Sequence, residues 1–76
     1  MGIQTYKFTS PGRAGVPDRM FIAPDGVVFF IEFKTPTGKL SKLQENEIKI
    51  LHNRSVDAWV VDDVIEGNRI IDGYAI

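Results

Sequence analysis

The stretch VVFFIEF, Val27 to Phe33, limits the fold more than any other part of the chain. Its β-branched and aromatic residues favour a strand. Because both of its faces are apolar, that strand must lie inside a sheet and be covered on both sides. Glu32 is out of place in such a strand. Lys34 closes the run, and Asp18 stands one short hairpin upstream. Two acids and a lysine at the end of the most hydrophobic segment need a reason.

The rest of the chain supplies the partners this strand needs. Gln4 to Thr9 alternates weakly through Tyr6 and Phe8 and predicts a short strand. SPGRAGVP (10–17) holds two Pro and two Gly and predicts a loop. Arg19 to Ala23 reads as a strand, and APDG (23–26) as a type I turn joining it to Val27–Lys34. TPTGK (35–39) is a second loop. Leu40, Leu43, Glu47, Ile48, Ile50 and Leu51 then recur with a helical period, predicting a helix over about Ser41 to Asn53. Ser41 and Gln44 match a capping box. AWVVD (58–62) reads as a strand, EGN (66–68) as a turn, and Arg69 to Ile71 as the start of a last short strand. The order β-β-β-α-β, with a final β, predicts an α/β (α+β) fold with a mixed sheet and a helix on one face.

A chain of 76 residues makes one domain, 1–76. At that size about 60% of the unfolded chain's surface is buried, so extra stabilisation from a partner chain is expected. There is no cysteine, which excludes disulfides and thiolate metal sites. No apolar run reaches about 18 residues and no signal-peptide pattern is present, so a soluble, cytoplasmic protein without a membrane partner is expected. The net charge of −1 hides a division. Residues 1–43 carry six Lys or Arg and three acids, whereas residues 44–76 carry three and seven. An anionic partner suits the first half.

The hairpin brings the acids together. Its turn pairs residues whose numbers sum to about 50 or 51, so Asp18 lies opposite position 32 or 33. The strand period of two puts Glu32 and Lys34 on one face. Two adjacent carboxylates repel, and a hard divalent cation removes the objection. Mg²⁺ or Mn²⁺ binds through one or two carboxylates, and the Phe33 carbonyl can add an oxygen. Such a cation activates water and offsets charge on phosphate, while Lys34 steadies the water or the developing charge. Asp18, Glu32 and Lys34 therefore suit metal-dependent phosphodiester hydrolysis. The plain alternative is a structural ion pair between Lys34 and Glu32 or Asp18. No Ser/His/Asp or Cys/His arrangement, dinucleotide fingerprint or Walker loop competes, and no small-molecule cofactor is implied.

Three ordered motifs sharpen this. SPGRAGVPD, IEFK and GKLSKLQ, within residues 6–44, resemble the core of the virus-type replication-repair nuclease family (VRR-NUC) of PD-(D/E)xK nucleases. AWVVDD resembles that family's final core strand, so the likeness spans about residues 6 to 63. The resemblance implies a restriction-endonuclease-like fold, with Asp18 and Glu32 as metal ligands and Lys34 as the catalytic lysine. It implies that Gln44 assists at the site, where capping the helix is its other role. Arg13, Gly12 and Gly15 of the Gly-rich loop would meet phosphate, although the glycines also serve loop geometry, and Lys39 and Lys42 would add contacts unless they are ordinary surface lysines. Members usually open with a helix carrying a Glu near the site. Here only MGIQT precedes YKF, so that helix is expected to be missing or very short, through a minimal natural form, a truncation or a place filled by a partner chain. The implied activity is that of an endonuclease on branched DNA, resembling phage junction resolvases that act as homodimers and work in a bacterial cytoplasm. The alternative is an inactive module of the same fold that binds nucleic acid or protein.

His52 sits at the helix end, where a cation is favoured. Trp59 is expected in the core because its strand is apolar. Ile70, Ile71, Tyr74 and Ile76 leave an apolar C-terminus for the sheet or for a two-fold contact.

Overall fold

The computed structural model describes residues 2–8, 11–35 and 37–75. Thr9, Ser10, Pro36 and Ile76, which enter the expected first strand, the two loops and the apolar C-terminus, lie outside the described residues. The elements are β1 (Gln4–Lys7), β2 (Arg19–Ile22), β3 (Val28–Phe33), α1 (Lys42–Asn53), β4 (Asp57–Val61) and α2 (Val64–Tyr74). The sheet order is β1-β2-β3-β4. β1 pairs with β2 and β2 with β3 antiparallel, while β4 pairs parallel to β3 after the α1 crossover.

The turn after β2 sets the register of the central hairpin. The Gly26 N–H donates to the Ala23 carbonyl at 2.9 Å, with Pro24 and Asp25 at the two central turn positions. Arg19 then faces Ile31 and Met20 faces Phe30, each pair summing to 50. As expected, β3 is interior and buried on both faces, with Phe29 and Ile31 at 0% exposure and Phe30 at 8%.

The two faces are covered differently. Phe29 and Ile31 join Phe21, Ala23 and Val61 in the main core, against which Ile70, Ile71 and Tyr74 of α2 pack. The Phe29 ring stacks between Phe21 and Tyr74, with centroid separations of 5.0 and 3.8 Å. Such pairs add about 0.5–1.5 kcal/mol each beyond the area they bury. On the other face Phe8 meets Phe30 edge-on at 5.7 Å, and that face also carries Glu32.

Two expectations are corrected. The last element is a helix where Arg69 to Ile71 were expected to begin a strand, and EGN does not turn. The Asp63 carboxylate caps the helix by accepting the Ile65 N–H at 2.8 Å. Gly67, Ile70, Ile71 and Tyr74 then fall on one helical face. Gly67 is there for close approach: a Cβ on it would sit 2.9 Å from Cε1 of Phe33. Trp59 is 42% exposed and not in the core. β4 is an edge strand, so Trp59 has a neighbour on one side only, and its indole N–H donates to the Tyr74 hydroxyl at 3.1 Å. No helix among the described residues is long and apolar enough to cross a membrane.

Candidate active site

Asp18 is the residue before β2, and its placement begins with Pro17. The proline is fully buried and fixes the loop where it enters the sheet. The Asp18 carbonyl accepts the Phe8 N–H at 2.8 Å, which extends the β1–β2 pairing by one step. Continuing the β2–β3 register one step beyond Arg19 and Ile31 sets Asp18 opposite Glu32. Both line one open pocket of about 400 Å³. Its other walls are Ala14, Gly15 and Val16 from the Gly-rich loop and Ser41, Leu43 and Gln44 from the start of α1.

Glu32 is half-buried and has no side-chain hydrogen bond among the described residues. Burial, and then the charge of Asp18, push its carboxyl above the usual glutamate range. Without metal, the folded protein therefore keeps a proton at Glu32 to higher pH than the unfolded chain does. Stability from this group is present at low pH and falls as pH rises through the raised pKa. Glu32→Gln should then melt at a higher temperature than the parent at neutral pH with chelator. The gap should close as pH drops below the ordinary glutamate pKa. Melting curves across that range check this, and a gap that widens toward acid would refute it.

A divalent cation suits this donor set. Two carboxylates face one pocket with a loop of small residues beside them, and no group of three or more His, Cys, Asp or Glu among the described residues could hold a metal by itself. A cation that takes two carboxylates and fills its remaining positions with water and phosphate fits; one needing a full protein cage does not.

Gln44 caps α1 and also lines the pocket. Its N–H donates to Ser41 Oγ at 3.1 Å, and its Oε1 accepts the Ser41 N–H at 2.9 Å, completing the capping box. The same side chain lines the pocket, and its NH₂ group has no partner among the described residues. Gln44→Glu keeps the cap but replaces a donor with a third negative charge. Any phosphodiester cleavage at this pocket should fall by about 10-fold or more while the melting temperature holds; an unchanged rate would leave Gln44 as a cap alone.

Lys34 follows β3, and its N–H donates to the Val61 carbonyl at 2.9 Å. Its Nζ does not pair with Glu32 or Asp18. It lies 3.6 Å from Asp62 Oδ2 and 3.4 Å from the Gly38 carbonyl. Arg13 is also held, its Nε donating to Glu47 Oε1. Lys39 and Lys42 are exposed and make no ion pair among the described residues. His52 Nε2 is bonded to the Ala58 carbonyl at 2.9 Å, away from this pocket. Gly12 and Gly15 both have positive φ, but only Gly15 touches α1, where a Cβ would meet the Leu43 carbonyl carbon at 2.6 Å.

Sequence reasoning missed Asp62 and Glu47. Asp62 becomes visible only through the parallel register, which puts Val61 beside Phe33 and hence Asp62 near Lys34. Glu47 left a signal, since it is an acid at an apolar position of the helix period.

The family model of the VRR-NUC domain matches residues 6–63, which span the Gly-rich loop, both carboxylates, Lys34 and the whole of α1 and β4. The chain belongs to the VRR-NUC domain family. A phage protein named "Putative nuclease p44", from Acyrthosiphon pisum secondary endosymbiont phage 1, is 50% identical over 42 residues. That match takes in 55% of this chain and 45% of the relative, so it spans less than half of the phage protein. A solved VRR-NUC domain structure superposes with a TM-score of 0.83 at 29% identity, covering 95% of this chain and 78% of that one. The mixed sheet with flanking helices is thus the VRR-NUC fold, and Asp18, Glu32 and Lys34 lie inside the matched region.

Proposed function

We propose that the chain is a Mg²⁺- or Mn²⁺-dependent DNA endonuclease that hydrolyses phosphodiester bonds in branched DNA, working as a homodimer. The observation that carries this reading is the pairing of Asp18 and Glu32 in one open pocket, walled by a Gly-rich loop and the start of α1. A binding module has no use for two clustered carboxylates facing phosphate.

Asp18, Glu32 and the Phe33 carbonyl would hold the cation, which when bound acidifies water and offsets negative charge on phosphate. The chain's own groups do the rest. Lys34, which follows β3 and rests 3.6 Å from Asp62 Oδ2, donates a hydrogen bond to water or to the developing charge. The Gln44 NH₂ orients a phosphate oxygen or the water. Arg13, Lys39 and Lys42 meet neighbouring phosphates, with the loop backbone at Gly12 and Gly15 close beside the strand. Acidic α2 packs on the opposite face of the sheet and would turn away from DNA. The branched preference and the dimer rest on the likeness to junction-resolving members. A single small unit presents one such pocket, and symmetric cutting of a junction requires two.

The test is a cleavage assay with Mg²⁺ and separately Mn²⁺ on a four-way junction, a 5′ flap, plain duplex and single strand. Cutting of a branched substrate that disappears with chelator supports the reading. A folded protein that binds the junction and cuts nothing would be the inactive module.

A further inference from the structure

Glu47 is the buried charge that the nuclease chemistry does not use. Its side chain is 11% exposed, and it is the buried residue of α1. A buried carboxylate is costly unless it is paired. The partner is Arg13, 34 positions away in the chain, through its Nε. The Arg13 side chain is 57% exposed, and its terminal Nη groups make no hydrogen bond among the described residues. One end of the guanidinium fork is thus anchored and the other end is open to solvent.

The same loop grips the same helix a second time. The Gly15 backbone packs on Leu43 and Gln44. Leu43 lies one helical turn before Glu47, so the two grips are stacked on one side of α1. Ala14, between Arg13 and Gly15, lines the pocket of Asp18 and Glu32.

We infer that Glu47 is a positioning residue. It holds Arg13 through Nε and presents the free Nη groups to a phosphodiester oxygen at the rim of the Asp18–Glu32 pocket. The inference rests on the nuclease reading. Arginine suits the task because its fork can bind a carboxylate along one edge and a phosphate along another. A purely structural pair would only tie down the loop.

A double-mutant cycle on DNA affinity separates the two roles. The parent, Glu47→Gln, Arg13→Met and the double variant are titrated with plain duplex and with a four-way junction, in chelator so that nothing is cut. Glu47→Gln should raise Kd on the order of 10-fold. Arg13→Met should weaken binding at least as much and lower the salt slope by about one. The double variant should bind no more weakly than Arg13→Met alone, because Glu47 acts through Arg13. Additive losses, or an unchanged Kd for Glu47→Gln, would overturn the inference. If Glu47→Gln is unfolded at the assay temperature, Arg13→Lys asks the same question. It keeps the charge and loses the fork, so Kd should rise with the salt slope held; a Kd equal to the parent's would overturn the inference. A parent protein that binds no DNA removes the nuclease reading itself. A parent that binds, with variants that match it, removes only the role of Glu47.

Discussion

Glu32→Ala and Lys34→Ala should each abolish metal-dependent cleavage, by at least about 1,000-fold, and both proteins should remain folded. The two halves of that expectation have separate causes. Removing Glu32 takes away one of two carboxylates facing the pocket, and Asp18 alone is a poor holder for a divalent cation. The loss should not harm the fold, since Glu32 has no hydrogen-bond partner among the described residues and burial already disfavours its charge. Lys34 differs because it does have a partner. Its ion pair with Asp62 spans 3.6 Å, and the Asp62 side chain is 50% exposed. A pair of that length and exposure contributes at most about 1 kcal/mol. Loss of activity in Lys34→Ala should therefore come with a folded protein whose melting temperature falls by no more than about 4–8 °C. A variant that unfolds would mean that Lys34 is a structural post between β3 and the end of β4. Asp62→Asn tests the same contact from the other side. It frees the ammonium without removing it, so the fold should survive and cleavage should change far less than in Lys34→Ala.

Much of this arrangement can be read from the chain because it is local. APDG specifies the turn, the turn specifies the register, and the register brings Asp18 opposite Glu32. Ser41 and Gln44 are three residues apart, so their capping box is a sequence motif before it is a structure. What escaped reading depends on parts of the chain far apart. Gly67 sits in EGN and looks like turn punctuation, yet its missing side chain is needed to admit Phe33. Without knowledge of that neighbour the α2 period is broken by a glycine, and the segment reads as a turn and a strand. Trp59 lies in an apolar strand, but its exposure follows from β4 being at the sheet edge. The strand's own residues do not report that position. Glu47 stands among the periodic positions of the helix, but its burial and its partner in the Gly-rich loop follow only from the fold.

The Gly-rich loop is where stability and site meet, and Gly15→Ala should show it. At φ +88 a non-glycine residue is strained by about 1–2 kcal/mol. The new Cβ would also meet the Leu43 carbonyl carbon and oxygen, both at 2.6 Å, and the Gln44 nitrogen at 2.9 Å. These are backbone atoms of the first turn of α1 and cannot rotate aside, so overpacking adds about 1–3 kcal/mol. Together the penalty is roughly 2–5 kcal/mol, a fall in melting temperature of about 10 °C or more for a domain of this size. Gly12→Ala is the matched control. It has φ +82, but no atom of the described residues lies within 4 Å of its Cβ position, so only the backbone strain applies. If the two variants lose equal stability, the contact with Leu43 and Gln44 contributes nothing. A Gly15→Ala protein that keeps its melting temperature would refute the close approach. Either way the comparison isolates one contact, the approach of bare backbone to the start of α1, which brings Gly15, Gln44, Asp18 and Glu32 around a single pocket.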